Sequence, residues 1–141
     1  MSDSVNTLVL DTNIVLDLWW FEDPATEVLH EHLVTGRVEW LATAPMRDEL
    51  ERVLGYPHLL RRPRRRAHQP LAEFDRWARI VPEAPRAPYV CKDPDDQKFI
   101  DLAASLTAAL LSKDAQVLAL ARRLERVGVR VMRTWTSDHA A

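Results

Sequence analysis

Short apolar runs, each feeding a helical pattern, constrain this fold more than any other feature. Residues 6–10, NTLVL, are apolar throughout their second half and end against Asp11. Residues 108–112, AALLS, run the same course towards Asp114. A strand that lacks polar alternation is covered on both faces, which is the signature of a parallel sheet between helical layers. Residues 37–42, RVEWLA, and residues 129–132, VRVM, supply two further strands.

Helical patterns fill the intervals. The first follows Asp11 to about residue 19, and the second spans about 24 to 34, with Pro24 suited to a first turn. Gly36 marks the turn into the second strand. Pro45 opens a helix over 45–54, and Gly55 stops it. Pro57, Pro63 and Pro70 break the middle into short pieces around a basic loop. A helix returns over 71–79, and Ile80–Val81 is a weak strand signal before the prolines at 82, 85 and 88. Asp95 or Asp96 caps a helix to about residue 104, with Phe99, Ile100, Ala103 and Ala104 on its buried face. The last helix runs from 115 to 126, with Gly128 at its C-cap. Alternating strands and helices predict an α/β/α sandwich around a parallel sheet, in one domain over residues 1–141.

Four carboxylates stand at the ends of these elements. Asp11 and Asp114 follow strands, Asp96 opens a helix, and Glu49 borders the buried stripe of Met46, Leu50, Val53 and Leu54. Asp93 and Asp95 read as nearer solvent, with Asp93-Pro94 forming a turn. Carboxylates that converge raise one another's pKa, and Mg²⁺ or Mn²⁺ relieves that repulsion while orienting water and a phosphate oxygen. The pattern is that of a small metal-dependent nuclease.

Composition narrows the alternatives. The chain has 141 residues and a net charge of -2, unevenly spread: five arginines fall within 61–66 and three acids within 93–96. A basic patch beside an acidic pocket suits a polyanionic substrate. With three glycines there is no Gly-rich phosphate loop. Cys91 is the one cysteine, which excludes an intrachain disulfide and a four-cysteine zinc site; it reads as packing in a reducing, cytoplasmic setting. The five histidines show no metal spacing and read mostly as surface residues. No membrane span or signal peptide is expected. Trp40 and Trp77 read as structural, whereas Trp19–Phe21 is the expected surface for a homodimer or another protein.

VLDTNIVLDLWW, RDELERVL, DPDDQKFIDLAA and ALLSKDAQVLAL, in that order, resemble the successive motifs of PIN domains. The resemblance is nearest to the bacterial toxin-like branch, where DPDD precedes the helix of the third acid. It implies an α/β/α sandwich and Mg²⁺- or Mn²⁺-dependent cleavage of RNA to 5′-phosphate and 3′-hydroxyl ends, often by the toxin of a toxin–antitoxin pair. Carried over by motif, the metal acids are Asp11, Glu49, Asp96 and Asp114, with Asn13 supporting Asp11. Many relatives carry another acid where this chain has Gln116, and Lys113 stands in place of a common glycine; the resemblance therefore implies a weaker second metal. Three alternatives remain at this point. The substrate is DNA, or the chain is a non-catalytic RNA- or partner-binding module, or it is a HAD-type phosphatase. The last needs an aspartate where Asn13 stands.

Overall fold

The computed structural model describes residues 6–61 and 68–135. Five strands form one wholly parallel sheet: β1 (Asn6–Leu10), β2 (Val38–Ala42), β3 (Ala78–Ile80), β4 (Ala109–Leu111) and β5 (Val131–Met132). Their order is β3-β2-β1-β4-β5. The chain steps outward from β1 through β2 to β3, then crosses back to place β4 on the other side of β1. The reversal falls between β1 and β4, whose register pairs Leu8, Val9 and Leu10 with Ala109, Leu110 and Leu111. In an open α/β sheet this is where the carboxyl ends of strands leave a crevice.

Among the described residues, eight α-helices flank the sheet, completing the expected sandwich: α1 (Thr12–Trp19), α2 (Glu27–Val34), α3 (Ala44–Val53), α4 (Pro57–Leu60), α5 (Pro70–Trp77), α6 (Gln97–Leu106), α7 (Ala115–Leu118) and α8 (Ala121–Glu125). Helices α1, α3 and α5 pack against one another, while α6 lies over β1 and β4. The core explains the apolar runs. Leu8, Val9, Leu10, Leu110 and Leu111 are all buried, because β1 and β4 are covered on both faces. Trp40 on β2 stacks on Trp19 at 5.7 Å between centroids and meets Phe74 of α5 edge-on at 4.9 Å.

Several expectations change. Trp19 and Trp20 are 0% and 5% exposed, and Phe21 packs against the core, so the two tryptophan rings fill the core rather than form the exposed apolar patch expected there. Adjacent positions point different ways, which suggests one exposed ring, but α1 is buried almost all round. His32 is also buried, accepting a hydrogen bond from Trp135 Nε1 at 2.8 Å. The expected helix over 115–126 is two, because the chain tightens at Leu120, whose N–H reaches Val117 O rather than the carbonyl four residues back. The weak strand signal at 80–81 is real but displaced: β3 starts at Ala78, directly where α5 ends. Most of the arginine run lies outside the described residues. Among the described residues, no helix is long and apolar enough to cross a membrane.

Candidate metal centre

Asp11 and Asp114 are built alike. Each follows a strand at the β1–β4 crevice and caps a helix with one oxygen. Asp11 Oδ1 accepts from the N–H groups of Asn13 and Ile14 at 2.9 and 3.3 Å. Asp114 Oδ1 accepts from those of Gln116 and Val117 at 2.8 and 3.4 Å. The caps answer the unpaired N–H groups of a helix start. Asn13 therefore supports Asp11 through its backbone, its side chain being exposed.

Ser112 joins the two. This buried hydroxyl donates to Asp11 Oδ2 at 2.5 Å and accepts from the Asp114 N–H at 3.1 Å. The Asp11 N–H is bonded to Leu111 O at 3.1 Å, so β1 holds this acid against β4. Burial is the largest influence on the Asp11 carboxyl and raises its pKa. The bonds from Ser112, Ile14 and Asn13 oppose the rise, and the Asp114 charge adds to it.

Asp96 reaches the same edge from a different element. A 3₁₀ turn, Pro94–Asp96, leads into α6 and is capped by Asp93, whose Oδ1 accepts from the Asp95 N–H at 2.9 Å. Asp96 does occupy the N-cap position of α6, as expected, but its side chain makes no capping bond there. Three residues per turn bring positions i and i+3 into line, which sets Asp93 beside Asp96. Gln97 fixes the segment before the turn. Its Oε1 accepts from the Cys91 N–H at 2.6 Å, and its Nε2 donates to Tyr89 O at 3.1 Å and Asp101 Oδ1 at 2.8 Å. Cys91 is buried there, with burial raising its thiol pKa, in keeping with a packing role.

Asp93, Asp96 and Asp114 offer one carboxylate oxygen each, all within 4.8 Å of one another. Asp96 is pushed up to about 7, first by burial and then by repulsion from Asp114, Asp93, Asp11 and Glu49. Its Oδ2 is buried and has no hydrogen-bond partner among the described residues. A bare, buried oxygen amid repelling carboxylates is what a hard divalent cation, bonded to oxygen at about 2.0–2.6 Å, would satisfy. The donor set fits such an ion. It contains no sulfur or imidazole, which argues against a zinc or copper preference.

The other expected residues have protein partners. Glu49 Oε1 pairs with Lys98 Nζ at 2.5 Å, and its Oε2 accepts from the Thr12 hydroxyl. Lys113 pairs with Asp17 Oδ2 at 2.5 Å, so it offsets a buried carboxylate on α1. Gln116 is exposed and contributes its backbone N–H. Sequence reasoning placed Asp93 towards solvent and left out Ser112, Lys98 and the bond of Thr12 to Glu49. The three-residue spacing of Asp93 from Asp96 behind Pro94 was a usable signal. The Lys98–Glu49 pair spans 49 positions and left none.

Residues 7–122 match the PIN domain family. The chain belongs to that family. Comparison with curated proteins gives no significant match. In this PIN domain the acidic cluster stands at the sheet's topological switch, and its composition suits a divalent metal.

Proposed function

We propose that this PIN domain is a Mg²⁺- or Mn²⁺-dependent endoribonuclease and the toxin of a toxin–antitoxin pair. The observation that carries the nuclease reading is the buried, unpartnered Asp96 oxygen inside the Asp93, Asp96 and Asp114 cluster. These three acids are the proposed direct ligands. Asp11 stands behind Asp114 through Ser112 and adds negative charge, and Glu49 borders the same pocket. A divalent ion held there would screen the scissile phosphate and lower the pKa of an attacking water.

The protein's own part is placement. The caps on Asp11 and Asp114 lock two carboxylates to the carboxyl ends of β1 and β4. The 3₁₀ turn ahead of α6 presents the other two. The clustered charge would repel a bare polyanion, so substrate approach needs both the cation and a basic surface. The arginines at 61–66 are the proposed phosphate-holding groups, acting on backbone rather than bases.

The test is cleavage of a labelled single-stranded RNA, with a matched DNA, in Mn²⁺ and in chelator. RNA cut only with metal, by wild type and not by Asp96→Asn, supports the reading. Cutting of DNA in preference to RNA would move the substrate class. Binding without cutting in any metal would leave a non-catalytic module. For the toxin role, expression of the chain should arrest growth, and co-expression of the protein encoded next to it should relieve the arrest.

A further inference from the structure

The five acids at this edge differ in how their charge is met. Among the described residues, Asp11, Asp93, Asp96 and Asp114 form no ion pair with lysine or arginine. Glu49 does, with Lys98. Lys98 is held on three sides. Its Nζ lies 2.5 Å from Glu49 Oε1, 2.5 Å from the carbonyl of Asp95, and 4.9 Å from the centre of the Phe99 ring. The second Glu49 oxygen accepts from Thr12, the residue after Asp11. Both oxygens of Glu49 are therefore occupied by protein donors. Its side chain is only 14% exposed, which leaves little room for a further cation.

We infer that Lys98 serves Glu49 as a built-in cation, so that this edge takes up one metal ion and not two. The inference rests on the reading above, that the aspartate cluster holds a divalent cation. An ammonium and a divalent ion on one carboxylate oxygen repel each other at close range, so Lys98 disfavours a second ion at Glu49. Lys98 is tethered to α6 two residues after Asp96, so its effective concentration beside Glu49 is high and its position does not depend on metal supply. The Asp93, Asp96 and Asp114 oxygens, lacking such a group, remain for the single ion. Lys98 is thus a positioning residue. It holds Glu49 in place and sets how many cations the centre accepts.

The experiment is Mn²⁺ titration of the whole chain by calorimetry, with stoichiometry as the readout. Wild type and Lys98→Arg should bind one ion per chain. Lys98→Met should bind two, and Lys98→Met/Glu49→Gln should return to one. Thermal melting of each variant accompanies the titration. If Lys98→Met melts below the assay temperature, Lys98→Gln, which retains a neutral donor, takes its place and should likewise bind two. Two ions in wild type, or one in both wild type and the charge-removed variant, would overturn the role of Lys98 while leaving the metal centre standing. A wild-type chain that takes up no Mn²⁺ would overturn both.

Discussion

Asp96 differs from the other helix-opening acids in what its carboxylate does. Asp11 and Asp114 spend one oxygen each on helix caps, whereas Asp96 makes no side-chain cap bond and is placed by its backbone N–H to Asp93 O. Its charge is therefore costly without a cation, and Asp96→Asn should raise the melting temperature of the metal-free protein near neutral pH. The same variant should abolish the rise that millimolar Mn²⁺ gives wild type. Paired melting curves check both, and a lower metal-free melting temperature in the variant would contradict the repulsion argument. Ser112→Ala acts differently. It strips a buried carboxylate of a charge-assisted partner, for a cost of about 1–3 kcal/mol in denaturant unfolding. By loosening Asp11 and Asp114 it should also reduce cleavage by about 10–100-fold. The placement of Asp11, Asp96 and Asp114 at element ends was legible in the sequence because strand ends and helix starts are local patterns. Asp93 was misread because a Pro-containing turn suggests solvent; here that turn aims the side chain into the cluster. Lys98 and Thr12 act on Glu49 across long stretches of chain, and no local pattern encodes such pairs.

Helix ends show where local grammar succeeds and where tertiary contact takes over. Gly36 and Gly128 both adopt positive φ, at 78° and 85°, as a glycine C-cap predicts. Gly128 has a second constraint that its neighbours in sequence do not reveal. A Cβ there would lie 2.5 Å from Thr107 Cγ2. Thr107 itself closes α6 in the left-handed region, so two helix ends meet at one tight contact. Gly128→Ala should cost about 2–4 kcal/mol, combining left-handed backbone strain with overpacking. Thr107→Ser removes the clashing methyl and should recover part of that loss when combined with Gly128→Ala. Denaturant unfolding of the two single variants and the double would show it; strictly additive losses would mean the contact is not what Gly128 relieves. The break between α7 and α8 had no such signature. No proline or glycine marks it, and Val117, Leu120 and Leu124 are all buried across it, so a continuous helical period was the natural reading. The handover from α5 to β3 was blurred for a related reason: no loop residue separates them.

The sheet order brings these local ends into one molecule-wide arrangement. A parallel sheet points every strand's carboxyl end the same way, and the reversal between β1 and β4 opens the gap where Asp11 and Asp114 stand. The densest positive charge in the sequence is the arginine run, five of its 19 lysines and arginines. Replacing Arg64, Arg65 and Arg66 by neutral residues should weaken RNA binding alike for all sequences. It should lower the slope of log affinity against log salt by roughly 2 units, three phosphates at about 0.7 each. An unchanged slope in filter binding would place the substrate path elsewhere. Concentrating acids at one edge also makes stability depend on pH. Asp96 is raised from 3.8 to about 7, and Asp11 is raised as well, both chiefly by burial. In the metal-free protein the folded state thus holds protons that the unfolded chain has released. Their contribution is fully present below about 3.8 and is lost as pH rises towards about 7. The metal-free melting temperature should therefore fall from pH 5 to pH 8, by on the order of a few degrees. Mn²⁺ competes with those protons, so the rise it produces should be small at pH 5 and larger at pH 8. In Asp96→Asn both trends should flatten. Melting curves across this range, with and without Mn²⁺, decide it: a metal-free profile that rises with pH would show that Asp96 and Asp11 are not raised in the folded chain.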